Sequence, residues 1–203
     1  MSNLKNIEKN YRILANNYEK RWQRFNAAIN EWILAHLNRP ERVIDLGCGT
    51  GLTLGYIHSA YKNAELTGID YSSDMLSIAS QRLPGAKLYR KDLSSLLLED
   101  RYDLVISCNV LHHLSDANHH INLLHEACEN DGQIFLCSFA LESFSMRAAE
   151  QFWQSFHPAH NKSFSRKELI SIIEPKFEIY NSALLKPDRF WQLQIYKLRK
   201  KTC

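Results

Sequence analysis

Three glycines at alternate positions, Gly47, Gly49 and Gly51, follow directly on the apolar run Arg42 to Leu46 and precede Leu52 to Ala60, which has helical spacing. A backbone without β-carbons can turn sharply at such a point and let a ligand lie against it. The helix that follows presents unpaired amide groups to the same spot. A strand that ends this way belongs at the carboxyl edge of an open α/β sheet, where ligands of that architecture bind.

The rest of the chain continues the alternation. Strands are expected at Ala64 to Asp70, Ala86 to Lys91, Tyr102 to Cys108 and Gln133 to Phe139, with helices at Ser73 to Arg82 and Asp116 to Glu129. An Asp131-Gly132 turn is expected between the last helix and the last of those strands. Strands that alternate with helices imply right-handed crossovers and a mostly parallel sheet. After Ala140 come a helix carrying Phe144, Met146, Phe152, Trp153 and Phe156, a second helix from about Ser165, and two β-rich stretches, Lys176 to Leu185 and Phe190 to Leu198. The short Lys-Pro-Asp connection between the last two stretches predicts a hairpin, with the last strand antiparallel at or near the sheet edge. The fold expected is therefore α/β, a doubly wound, mostly parallel seven-stranded sheet of Rossmann-like kind with an antiparallel last strand.

Ahead of that sheet, residues 3 to 38 contain neither Gly nor Pro, and Ile7, Tyr11, Leu14, Tyr18, Trp22, Phe25, Ile29 and Ile33 recur at steps of three or four. This predicts an amphipathic helical region with a break near Glu19 to Arg21. With 203 residues a single domain is expected: a helical cap over 1–39, a ligand-binding core over 40–140, and substrate-side helices with a terminal hairpin over 141–203. The N-terminus lacks the pattern of a signal peptide, and no run of eighteen apolar residues spans a bilayer. Five scattered cysteines without a C-x-x-C pair fit reduced thiols in the cytoplasm. A net charge of +3 argues against a nucleic-acid partner, and the basic tail from Lys197 to Lys201 reads as a solvated strand.

The acidic residues around the glycines narrow the ligand. The spacing is G-x-G-x-G, one residue short of the dinucleotide fingerprint. Asp45, two positions before the first glycine, would repel a pyrophosphate and welcome an ammonium or sulfonium group. Asp70 closes the second strand 19 positions after Gly51. There a carboxylate either accepts two hydrogen bonds from ribose hydroxyls or caps the helix that starts near Ser73. Asp92, in KDLSS, either meets an exocyclic amine of a base or serves an ordinary turn. Together these point to a nucleoside with a cationic substituent.

The stretches DLGCGTG, GIDYSSDML, KDL and DLVISCNVLHHL resemble the successive motifs of class I S-adenosylmethionine-dependent methyltransferases, in order and spacing, over residues 42 to about 139. The segment ANNYEKRW resembles the first helix of the small-molecule branch that includes ubiquinone and menaquinone methylases. The resemblance implies S-adenosyl-L-methionine as cofactor and S-adenosyl-L-homocysteine as product. It implies that Gly47, Cys48, Gly49 and Gly51 lie against the methionine part and that Asp45 organises that pocket. Asp70 would hold the ribose, Tyr71 and Met75 would flank the adenine, and Asp92 and Leu93 would contact its edge. Cys108, Asn109 and Val110 would approach the methionine ammonium. Tyr18 would close over the cofactor, although the apolar stripe gives it equally a core role.

Methyl transfer from a sulfonium needs mainly that two reactants be held in line. Where the acceptor must lose a proton, a histidine is the usual base, and His113, His157 and His160 are the candidates. Adjacent His112 and His113 are expected to point apart, leaving one of them structural. The histidines at 112, 113, 119, 120 and 125 lack cysteine or carboxylate partners at ligand spacing, so no metal site is expected. Cys108, preceded by Ser107 and not by proline, is expected to be a packed thiol, unlike the nucleophile of pyrimidine C5-methylases. If Trp22, Phe144, Phe152, Trp153 and Phe156 wall the acceptor pocket, the acceptor is an aromatic or lipid-like small molecule; the same spacing is what core packing gives. A nicotinamide oxidoreductase would share the fold, and a cofactor-binding protein without catalysis would share the glycine loop.

Overall fold

Every second residue of the central strands is apolar on each face, so both faces of the sheet must be covered, and they are. The computed structural model describes residue 20 and residues 22–156 and 159–201. Tyr18, His157 and most of the expected N-terminal helix lie outside the described residues.

Seven strands form one sheet: β1 (Arg42–Leu46), β2 (Glu65–Asp70), β3 (Lys87–Arg90), β4 (Tyr102–Cys108), β5 (Cys128–Phe139), β6 (Phe177–Leu185) and β7 (Leu193–Lys200). Their order is β3-β2-β1-β4-β5-β7-β6. β1 to β5 are parallel, and β7 runs antiparallel between β5 and β6. The expected fold class and the antiparallel last strand are both present. The helices among the described residues are α1 (Gln23–His36), α2 (Leu52–Ala60), α3 (Ser73–Arg82), α4 (Ala117–Ala127), α5 (Phe144–Phe156) and α6 (Arg166–Ile173), with a single 3-10 turn at Leu111–His113.

Alternation on the strands divides the core in two. Val43, Leu104, Ile106, Phe135, Cys137 and Ile195 face Phe25, Ile29 and Ile33 of α1, Leu54 and Ile57 of α2 and Met146 of α5. Ile44, Val105, Ile134, Leu136 and Tyr196 face Ile121 and Leu124 of α4 and Leu169 and Ile173 of α6. The connection from β3 to β4 contains no helix, and a groove beside β2 and β3 is lined by Thr67, Ile69 and Tyr89, of which Thr67 and Ile69 are themselves buried.

Three expectations need correction. The Asp131-Gly132 turn is absorbed into β5 as an irregularity, because the register against β4 jumps between Tyr102 and Leu104. A β-carbon on Gly132 would stand 2.6 Å from Cys128 Sγ, so the bulge needs a glycine. The last strand starts at Leu193 and not at Phe190, because Asp188 Oδ1 accepts from the amides of Phe190 and Trp191, at 2.8 Å each, and folds that stretch into a turn. Lys197 is not solvated. It is buried, and its ammonium donates to the carbonyl of His36 at 2.6 Å, closing the C-terminal end of α1.

Candidate functional site

The carboxyl ends of β1, β2 and β4 meet at the glycine loop. Gly47, Gly49 and Gly51 all have positive φ, at 89°, 53° and 71°, which L side chains rarely adopt. Gly47 has a second reason to be glycine. A β-carbon there would stand 2.2 Å from Val110 Cγ2, so the β1 and β4 ends can close on each other only without one. At Gly49 a β-carbon would meet nothing within 4 Å, so the bare backbone faces open space, as a ligand cradle requires. Arg82 of α3 donates to the carbonyl of Thr50 at 2.7 Å and holds the loop from behind.

Asp70 is wired into this loop. Its Oδ2 accepts from the amide of Gly49 and its Oδ1 from the amide of Ser72, each at 2.8 Å. Capping of α3 falls instead to Ser72, whose hydroxyl accepts from the amide of Met75. The amide of Tyr71 also pulls on the carboxylate, whose two oxygens offer about four lone-pair sites in all. Burial raises its pKa, against the pull of those backbone amides. Asp45 is fully enclosed; burial and, after it, the charge of Asp70 raise its pKa to about 8. Two carboxylates held at the cost of their own ionisation favour a ligand that brings positive charge.

The other expected cofactor residues gather around the same edge. Cys48 is buried against β2, and burial followed by the charges of Asp45 and Asp70 pushes its thiol well above the usual range. Tyr71 is half-buried beneath the guanidinium of Arg90, 5.5 Å from its ring centre. Met75 and Leu93 are buried, and Asp92 accepts from the amide of Ser94 at 2.9 Å, the turn role, with its second oxygen still available. Cys108 lies beside Cys137 on β5; that thiol contact and burial raise it well above the ordinary value, which suits a packed thiol. Asn109 is the only described non-glycine residue at positive φ, 59°, and its Oδ1 is buried without a donor among the described residues. An acceptor oxygen left bare at this edge fits the ammonium of a methionine side. The donor set therefore suits S-adenosylmethionine: carboxylates for the ribose and the cationic end, and glycine backbone between them.

A second cluster stands next to the first, at the carboxyl ends of β5 and β4. Phe139 closes β5, and around it lie Trp22 and Phe25 at the start of α1, Trp191 before β7, Trp153 of α5, and His112. Trp153 and Trp191 are stacked, with centres 4.9 Å apart and planes 11° from parallel. The ring of His160 lies 5.5 Å from that of His112 and 5.4 Å from that of Trp153.

His160 is held by Glu150. The two meet at 2.9 Å through Nε2 and Oε2, with side chains 5% and 8% exposed. The other oxygen of Glu150 accepts from the amide of Ser163 at 2.8 Å and from Gln154 at 2.9 Å. Burial pushes the Glu150 carboxyl up, but the bonds from His160 and Ser163 outweigh it and leave its pKa below the usual value. His113 is tied differently, its Nδ1 2.6 Å from the carbonyl of Ala159. Contrary to expectation, the 3-10 turn keeps His112 and His113 side by side, with ring centres 4.0 Å apart.

Of the aromatic residues expected to wall an acceptor pocket, only Trp22 and Trp153 belong to this cluster. Phe144, Phe152 and Phe156 are 88%, 60% and 71% exposed on the outer side of α5. Glu150, Phe139 and Trp191 were not singled out in the sequence. A signal existed for Glu150: it sits between Met146 and Trp153 at steps of four and three, a charge on the inward stripe of an amphipathic helix. No group of three or more His, Cys, Asp or Glu among the described residues could hold a metal ion.

A family model for a methyltransferase domain matches residues 17–174. The chain belongs to that methyltransferase family. It is 30% identical over 109 residues to malonyl-[acyl-carrier protein] O-methyltransferase of Bacillus anthracis, covering 53% of this chain and 40% of that protein. It is 40% identical over 88 residues to trans-aconitate 2-methyltransferase of Methylobacterium nodulans, covering 43% of this chain and 33% of that one. The chain thus spans less than half the length of these curated relatives. Among solved structures, magnesium protoporphyrin IX methyltransferase from Synechocystis PCC 6803 with bound S-adenosylhomocysteine superposes with a TM-score of 0.70 at 21% identity, over 88% of this chain and 83% of that one.

Proposed function

We propose that this chain is an S-adenosylmethionine-dependent methyltransferase acting on a small-molecule acceptor. One observation carries the reading: Asp45 and Asp70 are enclosed beside a glycine backbone that is open at Gly49, an arrangement matched to a cationic nucleoside. Bound there, the cofactor supplies an electrophilic methyl group. The protein's part is to hold the ribose at Asp70, favour the cationic end through Asp45 and Asn109, and present the methyl group toward the aromatic cluster. Tyr71, Met75, Asp92 and Leu93 serve the base in this reading, and His160 is the side chain best placed to take a proton from the acceptor. Tyr18 keeps the role that the resemblance implies, and His157 stays a candidate base by its position in the sequence.

No helix among the described residues is long and apolar enough to cross a membrane. The free thiols at Cys48, Cys108, Cys128 and Cys137 suit a reducing, cytoplasmic setting. The test is to incubate the protein with S-adenosylmethionine labelled in its methyl group and a small-molecule extract. Label should move into low-molecular-weight product with stoichiometric S-adenosylhomocysteine, and Asp70→Ala should abolish the transfer. Label appearing only in protein or nucleic acid would reject the small-molecule acceptor.

A further inference from the structure

The chain has nine phenylalanines, and five of them, Phe25, Phe135, Phe139, Phe164 and Phe177, are buried. The other four are exposed on two segments that touch: Phe144, Phe152 and Phe156 on α5, and Phe190 on the turn before β7. Single apolar side chains at a surface are ordinary, but a gathering of rings is not. Every fourth position from Phe144 brings Ala148, Phe152 and Phe156, all exposed, and each step turns the stripe by about 40°. The rings of Phe152 and Phe156 lie 4.9 Å apart. Phe190 joins the same surface through Trp191, 5.2 Å from it, which stacks on Trp153, the residue after Phe152. Met146 and Glu150 already hold the inner side of α5, so the outer stripe is not what fastens the helix to the fold.

Positive charge borders these rings. Arg147 on α5, Lys186 and Arg189 on the turn that carries Phe190, and Lys20 and Arg24 at the entry to α1 are all exposed. The last two share a recess with Asp188 and Trp191. Of the acids here, Asp188 spends Oδ1 on the amides of Phe190 and Trp191, and Glu142 accepts from the amide of Arg166. A second copy of this face would set those cations against their like. An anionic bilayer surface meets both needs at once, its headgroups taking the cations while the rings reach the acyl boundary. A convex helix ridge needs no matching groove there.

We propose that this face, led by Phe152 and Phe156, docks reversibly on a membrane surface rich in anionic lipid. A few rings or a few cations alone give only marginal binding, whereas the two signals together hold a protein at the interface. Docking brings Trp153 and Trp191 of the aromatic cluster to the lipid boundary. The proposal uses no residue of the glycine edge, so it stands or falls separately from the methyltransferase reading.

The test sediments the full chain with vesicles of phosphatidylglycerol and phosphatidylcholine in equal parts, and with vesicles of phosphatidylcholine alone. The mixed vesicles should hold the protein roughly tenfold more tightly or better, and the gap should shrink as salt is raised. Phe152→Ser combined with Phe156→Ser should bind the mixed vesicles roughly tenfold more weakly. Arg147→Gln combined with Arg189→Gln should lose most of the preference for phosphatidylglycerol. Lys176→Gln combined with Lys201→Gln, at the opposite end of the strands, should leave binding within about twofold. An unchanged unfolding midpoint shows that the variants are folded. An unmodified chain that sediments with neither vesicle, binding that survives both paired substitutions on the docking face, or an equal loss in the Lys176 and Lys201 variant would overturn the proposal. So would a chain that ignores vesicles and dimerises through Phe152 and Phe156, which would assign the face to a second copy.

Discussion

The two halves of the site are built on different physical terms. At the β1 and β2 ends, function is written in backbone: three glycines at positive φ, and a carboxylate that receives main-chain amides. At the β4 and β5 ends it is written in side chains from four separate stretches, Trp22 to Phe25, Phe139, Glu150 to His160, and Trp191. Backbone requirements tolerate almost no substitution, whereas a wall of rings can be rebuilt for another acceptor. A methyl donor used throughout a family belongs in the first kind of site and a variable acceptor in the second.

Substitutions that exploit this difference should separate the halves. The largest effect is expected at Gly47→Ala, where the new methyl group meets Val110 at 2.2 Å in a strained backbone. About 3 kcal/mol or more of stability should be lost, as read by denaturant unfolding. Gly49→Ala, with open space before it, should cost only ~1 kcal/mol of strain while still obstructing the cofactor. Equal stability losses at the two glycines would break the account of the loop.

Trp153→Ala should act on the other half alone. Removing a ring stacked on Trp191 should raise the KM for acceptor roughly tenfold or more, with cofactor Kd changed less than about twofold. Parallel loss of both affinities would mean that the halves are not independent.

A smaller effect concerns protons. Asp45 has its pKa raised from 3.8 to about 8. Between those values the folded chain retains a proton that the unfolded chain has released, so this residue lowers stability as pH rises through that window. A bound cation favours the ionised form. Cofactor binding near pH 7 should therefore release a proton, measured by calorimetry in buffers of different ionisation enthalpy, and Asp45→Asn should bind more weakly without releasing it.

The smallest effect on function should come from His120, on the opposite face of the sheet. Its ring lies 2.8 Å from Ser107 Oγ, and burial, followed by the charge of His119, lowers its pKa from 6.5 to about 4. The unfolded chain binds the extra proton first, so stability present above pH 6.5 is lost as pH falls toward 4, by about 3 kcal/mol at most. Replacing it with glutamine should flatten that acid limb and leave both ligand affinities unchanged. A change in either affinity would tie the far face of the sheet to the site.

Legibility in the sequence followed the same division. The alternation of strands and helices, the glycine loop, Asp45 and Asp70 were all readable, because a turn at positive φ and a carboxylate at a strand end are local demands. Glu150, Phe139 and Trp191 were not, since only the folding of α5 and the β7 approach onto β5 brings them together. Phe144, Phe152 and Phe156 misled for the converse reason. Helical spacing marks an apolar stripe, but α5 turns its Met146 and Glu150 stripe inward and leaves those rings outside. Lys197 looked solvated because nothing local in the tail announces the carbonyl of His36.

The central claim, that the glycine edge binds a sulfonium nucleoside through its carboxylates, is tested most directly by calorimetric titration with S-adenosylmethionine, S-adenosylhomocysteine and NAD(H), on the unmodified chain and Asp70→Ala. The account predicts that both sulfur nucleosides bind, that NAD(H) does not, and that Asp70→Ala weakens binding by roughly a hundredfold or more. Binding of NAD(H) in their place, or sulfur-nucleoside affinity unchanged by the loss of Asp70, would contradict it.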